Sequence, residues 1–129
     1  MIGASQGGLV GRYLVEECEL GVYIKKLITL GTPHMGISRV PSTFIDSLEF
    51  FYYYFVQGSI YNSYIQGYIG PAGYIKDLTN YKSYLKGATF LPDLNNERPV
   101  KNLMYKQRMT QLEQFVMIKF AKDTVIYPK

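Results

Sequence analysis

The stretch Gly3-Ala4-Ser5-Gln6-Gly7 has the form G-x-S-x-G, and no other part of this chain restricts the backbone as strongly. The pattern belongs to a sharp turn between a strand and a helix that lifts a serine hydroxyl out at the end of a parallel sheet. Small residues two before and two after the serine let strand and helix crowd a turn where a side chain would clash. The flanks agree with such a turn. Met1 and Ile2 read as the end of a strand, and Leu9, Val10, Tyr13 and Leu14 fall on one face of a helix beginning near Gln6. Glycine- and serine-rich turns also produce the pattern without any chemistry, so the rest of the chain has to decide between a nucleophile and a plain turn.

Only four residues precede Ser5. A serine turn of this kind normally follows several strands, one of which carries a loop with a second oxyanion-binding N–H, so the front of the fold is expected outside these residues. With 129 residues, 47% of them hydrophobic and 19% charged, the composition is that of one globular domain. On the serine-turn reading, residues 1–129 make up a single partial domain whose apolar sheet is the middle of a larger core. The net charge of +4 is spread along the chain. Its lysines form no basic cluster interleaved with stacking aromatics, which excludes a recognisable nucleic-acid module. No stretch reaches the length of a membrane span, the longest apolar-aromatic run being residues 50–56. No signal peptide is visible, an absence of little weight if the front lies elsewhere. The single cysteine, Cys18, reads as a small buried hydrophobe at the end of the first helix; a disulfide partner outside these residues is the sharper alternative.

Lys26-Leu27-Ile28-Thr29-Leu30 reads as a buried strand that Gly31-Thr32-Pro33-His34-Met35-Gly36 terminates, opening a loop on the serine's edge of the sheet. His34 is the only histidine. In α/β-hydrolases the order along the chain is serine, acid, histidine, and His34 comes one strand after the serine and long before any candidate acid. Its expected task is to line the site or to hold its loop by a hydrogen bond. Residues 43–85 differ in character, holding nine of the thirteen tyrosines, with Phe44, Ile45, Leu48, Phe51, Tyr52, Phe55 and Val56 at helical spacing. The segment lies where α/β-hydrolases insert a lid, and its glycines and Pro71 divide it into short pieces. Phe51 and Phe55 are therefore expected to line an apolar acyl site, with plain packing as the alternative. Residues 101–112 read as a helix with Leu103, Met104 and Leu112 as its apolar positions, and Gln114-Phe115-Val116-Met117-Ile118-Lys119-Phe120 reads as a strand. Asp123 follows, in a place suited to a turn-former or to a carboxylate that orients a histidine.

Three stretches together resemble the palmitoyl-protein thioesterases in order and spacing: Gly3-Ala4-Ser5-Gln6-Gly7-Gly8, the span from Phe90 through Asp93-Leu94-Asn95-Asn96-Glu97-Arg98, and Phe115-Val116-Met117-Ile118-Lys119-Phe120 with Asp123-Thr124-Val125-Ile126 and Pro128. The resemblance covers nearly the whole chain and is loosest in the tyrosine-rich segment. It implies an α/β-hydrolase fold in part, with residues 43–85 as a cap. It further implies hydrolysis of fatty-acyl thioesters on S-palmitoylated proteins in the lysosome or on secretion, with neither metal nor cofactor. Ser5 is then the nucleophile, Asp123 the acid, and the Gln6 backbone N–H one oxyanion donor. Cys18 matches a cysteine that the family pairs with one upstream. The family's later histidine, its first oxyanion loop, the cap disulfide and Asn-x-Ser/Thr acceptors are absent, so the chain is expected to be inactive alone. A lipase or carboxylesterase shares the serine turn and the Gly-Thr-Pro-His loop. A truncated pseudoenzyme that binds lipid or a partner is the non-catalytic alternative.

Overall fold

A computed structural model describes residues 1–18, 20–38 and 59–128. The elements run β1 (Ile2–Ala4), α1 (Gln6–Glu16), a 3-10 turn (Leu20–Val22), β2 (Lys26–Leu30), α2 (Ser63–Tyr68), a second 3-10 turn (Gly70–Tyr74), α3 (Tyr81–Gly87), α4 (Leu91–Leu94), α5 (Leu103–Met109) and β3 (Gln114–Ile118). The chain divides into two compact units, Met1–His34 with Asn96–Asp123, and Met35–Asn95 with Thr124–Pro128. The residues at 44–56, and Phe51 and Phe55 with them, lie outside the described residues.

The first unit is built on a parallel three-stranded sheet in the order β1-β2-β3. Together with its helices it has the form of a partial α/β fold. β2 coincides with the apolar run Lys26–Leu30, and β3 stops at Ile118, two residues before the expected end. The register aligns Ala4 with Leu30 and Leu30 with Ile118, so all three strands end level. In an open parallel sheet, ligands bind in the crevice outside those carboxyl ends.

α1 crosses one face of the sheet, but not on the face that hydrophobic spacing indicated. Its buried residues are Gly8, Leu9, Gly11, Val15 and Glu16, whereas Val10 and Tyr13 are exposed. The physical reason is close approach. A Cβ on Gly11 would lie 2.9 Å from Leu27 Cδ1, so the helix lies down on its glycines, and a pattern that counts only large apolar residues misses that face. α5 anchors the far end of α1. Arg108 Nη1 donates to the Glu16 and Glu17 carbonyls at 2.6 and 3.1 Å, satisfying carbonyls that a helix terminus leaves without partners, and Tyr105 Oη donates to the Glu17 carboxylate at 2.5 Å. α5 is shorter than the expected 101–112. Asn102 begins it by accepting from the Met104 N–H at 3.0 Å, and none of its residues is buried. Cys18, expected in the core, is exposed just beyond α1, because the helix ends at Glu16 before turning the thiol inward.

The second unit has its own core of Ile37, Ile60, Ile65, Ala72 and Ile75. A parallel bridge joins Ile37 to Ile75. Gln66 ties the unit together: its Nε2 donates to the Ile60 and Ala72 carbonyls at 2.8 and 3.0 Å, and its Oε1 accepts from Thr89 N–H and Oγ1–H at 3.0 and 3.3 Å. Tyrosines in this unit pack on one another. Tyr84, fully buried, meets Tyr61 edge-on and Tyr81 at a tilt. The buried Lys76 ammonium lies 5.5 and 5.4 Å from the Tyr81 and Tyr84 ring centres, a cation–π arrangement that offsets part of its desolvation.

Candidate active site

Ser5 sits between β1 and α1 with φ 51° and ψ −126°. A β-carbon makes this conformation costly, by about 1–3 kcal/mol, and it persists only where the surroundings over-determine it. Here they do. The Ser5 N–H donates to the Leu30 carbonyl at 2.8 Å, and the Ser5 carbonyl accepts from the Gly8 N–H at 3.1 Å. A Cβ on Gly3 would lie 2.6 Å from the Gly7 carbonyl oxygen, so only glycine lets the strand pass beneath the turn. The second crowded position is Gly8 rather than Gly7. Among the described residues nothing lies within 4 Å of a Cβ on Gly7, whereas one on Gly8 would sit 2.0 Å from Thr32 Oγ1. The close contact expected two residues after the serine is thus displaced by one.

The Ser5 hydroxyl makes no capping bond to α1, and Ser5 is exposed. Gln6, the first residue of α1, has an N–H with no acceptor four residues back. With no acidic side chain in the first turn, the positive end of the helix dipole beside Ser5 is uncompensated by its own turn. This is an environment that favours negative charge at the serine.

Two loops leave the same edge of the sheet from β2 and β3. Gly31, at φ +51°, donates its N–H to the Ile118 carbonyl at 2.8 Å. A Cβ there would lie 2.6 Å from Phe120 Cε2 and 3.6 Å from Asp123 Oδ2, which puts the Asp123 carboxylate beside the end of β2. Asp123 itself closes a turn, donating its N–H to the Phe120 carbonyl at 3.2 Å.

His34 is turned back into the sheet unit. Its Nε2 lies 2.9 Å from Thr29 Oγ1, and Thr29 in turn donates to the Val116 carbonyl at 3.3 Å. The tautomer sets which of the two donates: where the hydroxyl proton goes to Val116, His34 Nε2 carries the hydrogen and donates to Thr29. The ring stands edge-on to Phe115 at 5.6 Å. Burial, reinforced by the nearby Arg12 guanidinium, pushes its pKa down to about 4, so it is neutral at physiological pH. Arg12 is held by Glu16 at 2.8 Å, and burial pushes the Glu16 carboxyl up against the opposing pull of Arg12.

Residue spacing assigned no site role to Thr29, Thr32 or Arg12. Thr29 carried the one available signal, a polar residue inside an otherwise apolar strand. Among the described residues no cluster of three or more His, Cys, Asp or Glu side chains is placed to hold a metal ion, and no helix is long and apolar enough to cross a membrane.

A strained serine at a strand-to-helix turn, set at the carboxyl edge of a parallel sheet, has the form of an α/β serine-turn site. Comparison with known proteins gives the family: the chain belongs to the palmitoyl protein thioesterases, whose model matches residues 1–129. It is 32% identical over 130 residues to palmitoyl-protein thioesterase-dolichyl pyrophosphate phosphatase fusion 1 of Schizosaccharomyces pombe, a match covering 98% of this chain and 21% of that protein. It is 33% identical to palmitoyl-protein thioesterase 3 of Dictyostelium discoideum, covering 100% of this chain and 43% of the relative. Similarity to the lysosomal thioesterase PPT2 homolog of Drosophila melanogaster is 31% over 99% of this chain and 44% of that protein. The chain therefore spans less than half the length of these relatives.

Proposed function

We propose that this chain carries the nucleophile and the acid of a serine hydrolase that cleaves long-chain fatty-acyl thioesters, palmitoyl above all, from cysteines of S-acylated proteins. The observation that carries the reading is the Ser5 backbone, an exposed non-glycine residue at φ 51° directly before α1, in a chain whose family is that of the palmitoyl protein thioesterases. The hydroxyl of a serine held in that conformation makes no cap bond to the helix it precedes, and the strain has a reason if that hydroxyl must face a substrate. The finer fold assignment, an α/β-hydrolase with residues 43–85 as a cap lined by Phe51 and Phe55, belongs to the same proposal. So does a lysosomal setting, which the name of the Drosophila relative supports.

In the proposed reaction, Ser5 Oγ attacks the thioester carbonyl carbon while a histidine base takes its proton. The Gln6 N–H and a second backbone donor hold the oxyanion. The C–S bond breaks, the cysteine sulfur leaves with the proton from the histidine, and the acyl group stays on Ser5. Water then attacks the acyl-serine, delivering a proton to the same base; the C–Oγ bond breaks, the base returns that proton to Ser5 Oγ, and the fatty acid leaves. Asp123 orients the base and stabilises its charged form. His34 does not fill that role: Nε2 is engaged with Thr29, and a base with a pKa near 4 is too weak to activate a serine efficiently at neutral pH. The base is accordingly a histidine outside residues 1–129, and these residues alone are inactive.

Labelling with a fluorophosphonate probe tests this directly. Residues 1–129 should remain unlabelled, and the complete protein should label at Ser5 and lose the label in Ser5→Ala. Labelling of the 129-residue chain that disappears in His34→Ala would make His34 the base and overturn the assignment. Turnover of oxyesters with no turnover of acyl thioesters would point to a lipase or carboxylesterase instead.

A further inference from the structure

The loop at residues 31–34 touches both catalytic loops of the proposed site, and each contact uses a glycine. On one side Thr32 reaches so close to α1 that only Gly8 can face it, a Cβ there falling 2.0 Å from Thr32 Oγ1. On the other, Gly31 takes the Phe120 ring and the Asp123 carboxylate, at 2.6 and 3.6 Å from its own Cβ position. The loop is short and stiff: the His34 N–H folds back to the Thr32 carbonyl at 2.8 Å around the buried Pro33. Its root is fixed by two ladder bonds, Ser5 N–H to Leu30 and Gly31 N–H to Ile118, both 2.8 Å. Its far end is fixed by the 2.9 Å bond between His34 and Thr29, a residue 1% exposed within β2.

We propose that residues 31–34 are a strut that sets the Ser5 turn against the Asp123 loop, and that His34 is its positioning residue, acting through Thr29. This rests on the reading of Ser5 and Asp123 as nucleophile and acid. A rigid insert between two loops transmits a shift of either one to the other, because close-packed groups cannot yield independently. Without the His34 anchor, Thr32 can withdraw from Gly8 and Gly31 from Phe120, and the distance over which the acid and its histidine must meet the serine is no longer fixed. Misplacement on the order of 1 Å costs about a hundredfold in rate when proximity is the main device.

The test uses the complete protein with His34→Ala, His34→Gln, Thr29→Val and the double variant Thr29→Val/His34→Ala. Glutamine keeps an N–H donor close to the position of the imidazole Nε2. Rates per titrated active site on a palmitoyl thioester are expected to fall at least about tenfold in His34→Ala through kcat, with KM little changed and the glutamine variant largely restored. The double variant should be no worse than His34→Ala, as for two residues that act as one unit. A second readout needs no turnover: amide hydrogen exchange at Gly8 and Asp123, whose N–H groups are bonded to the Ser5 and Phe120 carbonyls, should rise together in His34→Ala and stay slow in His34→Gln. Equal damage from alanine and glutamine, an effect confined to KM, or exchange that rises in one loop alone would overturn the strut. Failure of the wild type to turn over acyl thioesters would sink the hydrolase reading, and the exchange result would still decide the mechanical one.

Discussion

Thr32 presses its hydroxyl against Gly8 at the first turn of α1, so closely that a methyl group on Gly8 would overlap it, its Cβ falling 2.0 Å from Oγ1. Gly8→Ala should therefore destabilise the fold by about 1–3 kcal/mol through overpacking. Gly7→Ala has open space among the described residues and lies inside the helix, where alanine is better than glycine by about 0.5–1 kcal/mol. Chemical denaturation of the two variants should give shifts of opposite sign, although the G-x-S-x-G pattern names Gly7 and leaves Gly8 out.

The same contact leaves Thr32 Oγ1 buried without a hydrogen-bond partner among the described residues. A buried hydroxyl in that state costs about 1–3 kcal/mol, and valine has nearly the same shape. Thr32→Val is expected to leave the melting temperature unchanged or to raise it. A marked fall would mean that the hydroxyl has a partner.

His34 gives the sheet unit a distinctive acid response. Its pKa falls from the ordinary 6.5 to about 4, so between those values the unfolded chain binds a proton that the folded one refuses, and stability rises with pH there. The His34 contribution is complete above pH 6.5, declines as pH falls through the window, and declines no further below about 4. Glu16, whose carboxyl is raised by burial, acts with the opposite sign, losing its contribution as pH rises above 4.5. The difference in unfolding free energy between wild type and His34→Gln isolates the histidine. An imidazole resonance that titrates near its ordinary value in the folded protein would contradict the burial.

In the second unit the buried Gln66 amide serves Ile60, Ala72 and Thr89. Gln66→Leu keeps most of the volume and strands those backbone groups, each at a cost of about 1–3 kcal/mol. Loss of at least about 2 kcal/mol is expected. A neutral result would show that water replaces the amide.

The strands were the most legible part of the chain, because Lys26–Leu30, largely apolar and stopped by Gly31, and the apolar run after Gln114 are short segments of strand length. The strained serine was legible too, through the two glycines flanking it. The buried face of α1 was not: Gly8 and Gly11 do the packing, and glycine adds nothing to an apolar periodicity. Cys18 went astray for a related reason, since residue type suggests burial and the helix end decides it. The His34–Thr29 bond could not be read because its partners are joined by a loop whose direction depends on Gly31 at positive φ. Spacing can bring a histidine to the sheet edge, but it cannot say whether the ring faces the serine or turns back beneath it.

If Ser5 carries the acyl group during thioester hydrolysis, the adduct can be trapped, because an acyl-serine survives at low pH. The complete protein is mixed with a palmitoyl thioester and quenched in acid during turnover, and its peptides are mapped by mass spectrometry. Palmitate is expected on the peptide containing Ser5, accumulating before steady state, and both adduct and turnover are expected to disappear in Ser5→Ala. Undiminished turnover in Ser5→Ala, or palmitate carried on another residue, would contradict the assignment of Ser5 as nucleophile.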